Sequence, residues 1–392
     1  MIAAADFNIT KVERSKLNDL SLENIPFGKY FTDHMLEVDY EDGEWKTVEI
    51  KPYQPLLLAP SIAAIHYGQA IFEGIKAYKN PNGEPYMFRP IDNFKRFNIS
   101  AERMQMPQVP EEIFMEGMRT LINLDSNWIP SNEDHSLYIR PFMFSSDEMI
   151  GVKPSDKYKF MIILSPTGPY YNTPMRIYVE EQYVRAVPGG VGYAKAAGNY
   201  GAAMFATTEA KKKGYDQVLW TDAFEHKYVQ ECGTMNVFFI IGNTAITPDL
   251  DAGTILAGVT RDSTITILKE LGFNVEERQL AIDDVIDAHR AGLLYEVFGT
   301  GTAAAAGRSR WHSGCRSSNR QRRGCWTPRS GPHRRQRSRT GSWTTSSASP
   351  SRSAYRSVRP RCCPRRSRRS GSYHRAESSA RGYRRTLRWA GP

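Results

Sequence analysis

The sequence predicts an α+β protein in two parts, the second one incomplete, followed by a disordered Arg/Ser-rich tail. Three observations lead there. Up to residue 165, segments that alternate apolar and polar residues are separated by turn signals, with two helical repeats among them. Pro166-Thr167-Gly168-Pro169-Tyr170-Tyr171-Asn172-Thr173-Pro174 then breaks the pattern with three prolines and a glycine, before a second mixture of strands and helices. From Gly307 onward the composition changes completely.

The elements follow in order. Phe27–Tyr40 alternates as a strand, Glu41-Asp42-Gly43-Glu44 supplies a hairpin turn, and Trp45–Lys51 returns. His66–Tyr78 ends in a strand, Asn80-Pro81-Asn82-Gly83 turns, and Pro85–Arg89 is a short strand. Ile91–Met104 and Pro110–Asn123 have helical spacing, and Leu137–Phe144 and Tyr158–Leu164 are strands again. This first domain, 1–165, is joined by an interdomain loop over 166–175 to a second, 176–306. There Arg176–Val184 opens the domain, and a helix over Ala202–Lys213 is stopped by Gly214. Gln217–Thr221 and Asn236–Ile241 are strands. Thr260–Leu271 is a helix closed by Gly272, Ile282–Ala291 another, and Leu294–Phe298 a strand before the turn Gly299-Thr300-Gly301-Thr302-Ala303. No internal repeat is visible.

The charge is as uneven as the pattern. The chain has 392 residues and a formal net charge of +10, but 24 of its 52 basic residues, all arginine, lie beyond residue 306 with one acid, Glu377. Residues 1–306 therefore carry 28 basic and 41 acidic side chains, a net of −13. The body is not a nucleic-acid-seeking protein, whatever the average suggests. Of the aliphatic residues Val, Ile, Leu and Met, the 86 residues from Gly307 contain only Val358 and Leu387. Such a segment buries too little apolar surface to offset ordering costs of ~1–2 kcal/mol per residue. Arginine, serine, glycine and proline without lysine is what GC-rich coding DNA yields when read out of frame, so a frameshift near 304–307 is expected to have written the tail.

Cys232 is the body's single cysteine, and no pair has the C-x-x-C spacing of a metal or redox site. The N-terminal stretch, with Asp6, Lys11, Glu13 and Arg14, does not read as a signal peptide, and no apolar run is long enough to span a bilayer. A reduced, cytoplasmic protein is expected, with no metal and no membrane partner.

Candidate chemistry gathers in the second part. In Val191-Gly192-Tyr193-Ala194-Lys195-Ala196-Ala197-Gly198-Asn199-Tyr200, small residues flank one lysine and a tyrosine follows five positions later. A lysine works as an amine nucleophile only in a dry, close-fitting site, and otherwise such a residue is a solvated loop lysine. Gly258-Val259-Thr260 offers backbone N–H groups at a helix start, suited to an anion or simply to a threonine cap. Gly299-Thr300-Gly301-Thr302 is a second turn with free N–H groups, or an ordinary loop. Arg89 could bind a phosphate in bidentate fashion or sit on the surface. Glu231 could be a solvated loop acid or hold a proton on a ring nitrogen. Together these are a Schiff-base lysine, an acid for a pyridinium and phosphate binders, the parts a pyridoxal 5'-phosphate site needs.

With FGKYFTDHM, HYGQAIFEGIKAY, MFRP, LYIRPF, GYAKAAGNYG, QECGTMN, LAGVTRDS and FGTGTAA in this order, the chain resembles the branched-chain amino acid aminotransferases of the fold type IV pyridoxal phosphate family. The resemblance runs from Phe27 to about Ala304. It implies a two-domain fold type IV architecture, a homodimer, and transamination between L-leucine, L-isoleucine or L-valine and 2-oxoglutarate, giving 2-oxo acids and glutamate. It implies that Lys195 joins the cofactor and moves the substrate proton, that Tyr200 bonds the cofactor's phenolic oxygen, and that Glu231 partners the ring nitrogen. Arg89, the N–H groups of Val259 and Thr260, and Thr302 would cradle the phosphate. The N–H groups of Thr302 and Ala303 would take the substrate carboxylate. Phe27, Tyr67, Phe72, Tyr138 and Arg140 would wall the side-chain pocket, although Phe27 and Phe72 also suit plain core packing. D-amino acid aminotransferase and aminodeoxychorismate lyase share the lysine and glutamate, but FEGIKAY and LYIRPF favour the branched-chain enzymes. Nucleic-acid binding through the arginine tail is the alternative from another class, and the tail carries no RNA-binding motif to support it.

Overall fold

The computed structural model describes residues 7–22, 25–132, 134–168 and 175–302, and the backbone of short strands at 307–309, 311–312 and 325–326. Its first part is built on a nine-stranded sheet, counted over the described residues. The hairpin read from the alternating residues is there: His34–Glu41 pairs antiparallel with Val48–Pro52, and on its other side with Tyr158–Thr167. Tyr158–Thr167 pairs in turn with Ser136–Ser145, the long strand that carries Tyr138 and Arg140. Ser136–Ser145 also pairs with Ala70–Phe72 and Ile75–Lys79, so Phe72 lies opposite Phe142 and Gly74 against Tyr138.

Phe27 is not in a strand. Gly28 takes φ +70°, which turns the chain and sends the Phe27 ring edge-on to Tyr138, 4.8 Å between centroids. Pro166 and Thr167, expected in the interdomain loop, are the last residues of the strand Tyr158–Thr167 and pair with Leu137 and Ser136. Residues 169–174 of that loop lie outside the described residues.

Two helices cover the sheet. Pro90–Arg103 starts with proline at its first position, where the missing N–H costs nothing, and has Asp92 in its first turn and Arg103 in its last. It buries Asn93, Arg96, Phe97, Ser100 and Ala101 on one face. Glu112–Glu116 is a π-turn that runs on into the α-helix Gly117–Leu124. Phe97, Phe114 and Phe160 meet at centroid distances of 5.5–5.8 Å to form the centre of this core.

The second part has two smaller sheets. Val229–Cys232, Gln217–Thr221 and Ile177–Val179 lie side by side, and so do Asn274–Glu277, Thr244–Thr247, Asn236–Ile241 and Leu294–Thr300. Thr244–Thr247 and Asn274–Glu277 escaped the sequence pattern because strands of four residues carry too few alternations to register. The helix Val259–Glu270 packs Ile265 and Leu268 against Phe238 and Ile240, and Gly272 at φ +86° ends it. The helix expected over Ala202–Lys213 starts earlier, at Ala197, and ends at Lys212. Gly198 and Gly201 argue against helix by about 1 kcal/mol each, but Asn199 ties this first turn to the Val191 and Ala194 carbonyls.

Past residue 306 the described backbone is three short strands. Gly307–Ser309 pairs with Val297–Gly299, and Cys325–Trp326 pairs with Trp311–His312 and, through Trp326, with Ile177. A sheet edge offers unpaired N–H and C=O groups to any extended backbone, and the pairing does not depend on apolar side chains. The other residues of 303–392 lie outside the described set.

Candidate active site

Lys195 is fixed by its backbone before its side chain matters. Its N–H donates to Ser100 Oγ at 2.9 Å on the helix Pro90–Arg103, and its carbonyl accepts from Phe72 N–H at 3.2 Å. The lysine loop is thus stitched to both the first sheet and its covering helix. The Nζ then donates to Tyr200 Oη at 3.2 Å and lies 5.3 Å from the centre of the Phe72 ring. Lys195 is half-buried rather than a solvated loop lysine.

Lys195 and Tyr200 open on a cavity of about 600 Å³, also lined by Phe27, Phe72, Gly74, Tyr138, Arg140, Arg96, Leu256, Gly258, Val259, Thr260, Thr300, Gly301 and Thr302. Its floor is a helix start. Val259 and Thr260 are the first two residues of the helix, Gly258 precedes it, and no side chain caps it. Its orphan N–H groups and the helix dipole favour an anion there. A Cβ on Gly258 would run into the Asn236 amide, whose Nδ2 donates to Leu256 O at 2.9 Å, so only glycine lets this turn sit so close. The opposite turn brings Thr300, Gly301 and Thr302, and Thr300 Oγ is buried with no hydrogen-bond partner among the described residues. Ala303 lies outside the described residues.

Arg96 and Arg140 line this cavity, and Arg89 does not. Arg89, at φ 49°, precedes the helix Pro90–Arg103; its Nε donates to Asp92 at 2.7 Å and its Nη1 to Asp262 at 2.6 Å and Ser263 at 2.8 Å. It does not line the cavity. Arg96 does, clamped by Glu73 (Nε–Oε1 2.7 Å, Nη2–Oε2 2.9 Å) and by the Ala257 carbonyl (Nη1–O 2.8 Å). Those bonds use three of its five N–H donors, leaving two. Burial opposes charge on Glu73, but Arg96 beside it outweighs that and holds the carboxyl below the usual range. A sequence signal for Arg96 did exist: Asn93, Arg96 and Ser100 are polar residues at helical spacing on the same face as Phe97 and Ala101.

Glu231 is not a solvated loop acid. It lies on the strand Val229–Cys232, 2% exposed, behind Leu256 rather than in the cavity lining. Its Oε1 accepts from Leu256 N–H at 2.8 Å, and its Oε2 pairs with Arg185 Nε at 2.7 Å. Burial holds its carboxyl above the usual range, and Arg185, the Leu256 N–H, Lys195 and Arg96 offset this only in part. The neighbouring Cys232 thiol is pushed up to about 12 by burial.

The far wall is aromatic. Arg140 Nη2 donates to Tyr138 Oη at 2.9 Å and its guanidinium lies 4.4 Å from the centre of the Phe72 ring, while its Nε is buried without a partner among the described residues. A Cβ on Gly74 would strike the Tyr138 hydroxyl. Tyr67 is apart from these residues: it ends the helix Ala63–Tyr67, is 41% exposed and does not reach the cavity. Among the described residues there is no cluster of three or more His, Cys, Asp or Glu placed to hold a metal, and no helix long and apolar enough to cross a membrane.

A half-buried lysine, an uncapped helix start and the segment Thr300–Thr302 around one cavity, with a buried acid behind Leu256, suit a phosphorylated pyridine aldehyde. The residues present fit it: among the described residues Thr300 Oγ and two Arg96 N–H groups have no other partner, and the glycine turn admits an anion to the helix start.

Comparisons with known proteins agree. The family described as Amino-transferase class IV matches residues 70–300. A probable branched-chain-amino-acid aminotransferase of Staphylococcus epidermidis is 52% identical over 286 residues, which is 72% of this chain and 79% of that protein. Branched-chain-amino-acid transaminase 1 of Bacillus subtilis is also 52% identical over 286 residues, covering 72% and 80%. Among solved structures, a T.th. branched-chain amino acid aminotransferase complexed with N-(5'-phosphopyridoxyl)-L-glutamate superposes with a TM-score of 0.55 at 28% identity, over 69% of this chain and 84% of that one.

Proposed function

The chain belongs to the class IV aminotransferases, and from that premise we propose that it is a pyridoxal 5'-phosphate enzyme. Its reaction moves an amino group between L-leucine, L-isoleucine or L-valine and 2-oxoglutarate, giving the branched-chain 2-oxo acids and L-glutamate. The observation that carries this is Lys195 Nζ, 3.2 Å from Tyr200 Oη, in a cavity whose floor is an uncapped helix start. When bound, the cofactor supplies a conjugated ring that accepts the electron pair released as the substrate Cα–H bond breaks.

The chain's own residues do the rest. Lys195 Nζ would hold the cofactor covalently and would hold and move the proton at the substrate Cα. Tyr200 Oη accepts the lysine's hydrogen bond and so aims Nζ. Glu231 keeps a proton on the ring nitrogen. Arg96, the N–H groups of Val259 and Thr260, and the hydroxyls of Thr300 and Thr302 bind the phosphate; Arg96 here takes the place first given to Arg89. Phe27, Phe72 and Tyr138 exclude water and suit a branched apolar side chain, and the unpaired Arg140 Nε suits the distal carboxylate of glutamate. A cytoplasmic homodimer is part of the proposal, and the exposure of Tyr67 supports its meeting a second copy.

The test is the absorption spectrum of purified protein with pyridoxal 5'-phosphate. A visible band lost on borohydride reduction, with the reduced cofactor mapped to Lys195, is expected; a label on another residue overturns the site. L-leucine should then react with 2-oxoglutarate while D-alanine does not, and the reverse would make the protein a D-amino acid aminotransferase.

A further inference from the structure

We propose that Arg185 is a positioning residue for this chemistry: it fixes the charge and orientation of the Glu231 carboxylate and ties it to the two loops that carry Lys195 and the anion-binding turn. The inference rests on the reading of Glu231 as the partner of the ring nitrogen.

The geometry is specific. Arg185 and Glu231 side chains are 8% and 3% exposed, and Nε meets Oε2 at 2.7 Å. The rest of the guanidinium reaches in two other directions. Nη1 donates to the Thr254 carbonyl at 2.7 Å, four residues before Gly258, and Nη2 to the Gly192 carbonyl at 3.3 Å, three residues before Lys195. A Cβ on Gly192 would meet Ala186 Cβ and the Thr254 carbonyl oxygen, both at 2.6 Å, so the three segments already touch at this point. One planar fork therefore spans the acid, the lysine loop and the approach to the phosphate turn, which a lysine's single ammonium could not do.

The chemistry requires such a partner. A carboxylate taken out of water loses its charge unless it is paired. A neutral Glu231 would no longer favour a charged ring nitrogen, and the cofactor would be a poorer electron sink. Each carboxylate oxygen has two acceptor positions, and Leu256 N–H and Arg185 Nε take one each. The carboxylate is thus held from behind with acceptor capacity to spare. Arg185 touches neither cofactor nor substrate in this reading and acts only through Glu231 and the loops.

The experiment uses the full chain with added pyridoxal 5'-phosphate and four variants: Arg185→Met, Arg185→Lys, Glu231→Gln and the double Arg185→Met/Glu231→Gln. Absorption spectra, kcat and the KM for L-leucine are recorded. Arg185→Met is expected to displace the visible band and lower kcat roughly 10- to 100-fold, the range found when a partner that orients a functional group is removed. The KM should change less than about threefold, since substrate contacts are untouched. Arg185→Lys should recover part of both. The double variant should be no worse than Glu231→Gln, because two residues that act as a unit do not multiply their losses. A wild-type spectrum and kcat in Arg185→Met overturns the inference, as do losses that multiply in the double variant. If Arg185→Met does not fold, the double variant, which leaves no lone buried charge, is compared with Glu231→Gln by the same criteria. A wild-type chain with no cofactor band overturns the proposed function itself, and the inference with it.

Discussion

Replacing Glu73 should unfold the site from beneath. Its carboxylate is fully buried and accepts from Arg96 Nε at 2.7 Å, Arg96 Nη2 at 2.9 Å, Asn93 Nδ2 at 2.8 Å and Gly74 N–H at 3.1 Å. Glu73→Ala removes the acceptor of all four hydrogen bonds and leaves a guanidinium, itself 8% exposed, without its counter-charge. Breaking a buried pair in this way costs ~3–5 kcal/mol. At roughly 2–4 °C per kcal/mol, the melting temperature should fall by about 6–20 °C. Thermal melts without added cofactor read this loss free of any ligand contribution. The double variant Glu73→Leu/Arg96→Met, which exchanges the pair for apolar side chains of similar bulk, should regain most of the stability. It should not regain affinity for pyridoxal 5'-phosphate, which should stay about 10- to 100-fold weaker because the charged hydrogen bonds to the phosphate, each worth ~1.5–3 kcal/mol, are gone. A Glu73→Ala chain that melts within about 2 °C of the parent would refute the reasoning, as would a double variant no more stable than the single one.

Lys195→Ala should retain less than about a hundredth of the transaminase activity, since a positioned acid–base group contributes ~10²–10⁴-fold; steady-state rates with L-leucine check it. Arg89→Ala should leave pyridoxal 5'-phosphate affinity within about threefold and cost no more than ~1 kcal/mol, because its ion pairs with Asp92 and Asp262 are partly exposed; a loss equal to that of the Arg96 variant would return Arg89 to the phosphate. Asp222 accepts four backbone N–H groups, from Phe224, Glu225, Lys227 and Tyr228. Burial works against its charge, but these bonds hold its carboxyl below the usual range. Its folded value is depressed, so its contribution is present above the ordinary carboxylate range near pH ~4 and is lost as pH falls through the folded value. Asp222→Ala should therefore destabilise by about 2–3 kcal/mol at neutral pH and by much less at the acid end of a urea-melt series; a penalty independent of pH would contradict the assignment. A chain whose frame is restored near residues 304–307 should melt higher and turn over faster than this one, and equal stability and activity would reject the frameshift.

The sequence by itself determined whatever depends on neighbours along the chain. Alternation within 27–40 and 137–144, helical spacing over 91–104, and glycines at 214 and 272 are local constraints on φ, ψ and burial, and the elements appear there with their ends shifted, the strand beginning only at His34. The lysine loop and the turn before Val259 were legible for the same reason, since small residues allow a close backbone approach, whereas Gly299 and Thr300, read as a turn, end the strand Leu294–Thr300. Tertiary structure alone decided which charges meet. In the sequence only Arg89 stood out for the phosphate; the packing of one helix face against Glu73 and the distant Ala257 carbonyl sends Arg96 to the cavity, while Arg89 pairs with Asp262. Arg185 drew no notice in the sequence because its partners, Glu231 and Thr254, lie 46 and 69 residues on. The strands at 307–309 and 325–326 came from sheet edges that no side-chain pattern in the tail could forecast. Periodicity records how one segment meets solvent and core, whereas an ion pair or a strand edge needs a second segment, and only folding brings that segment within about 3 Å.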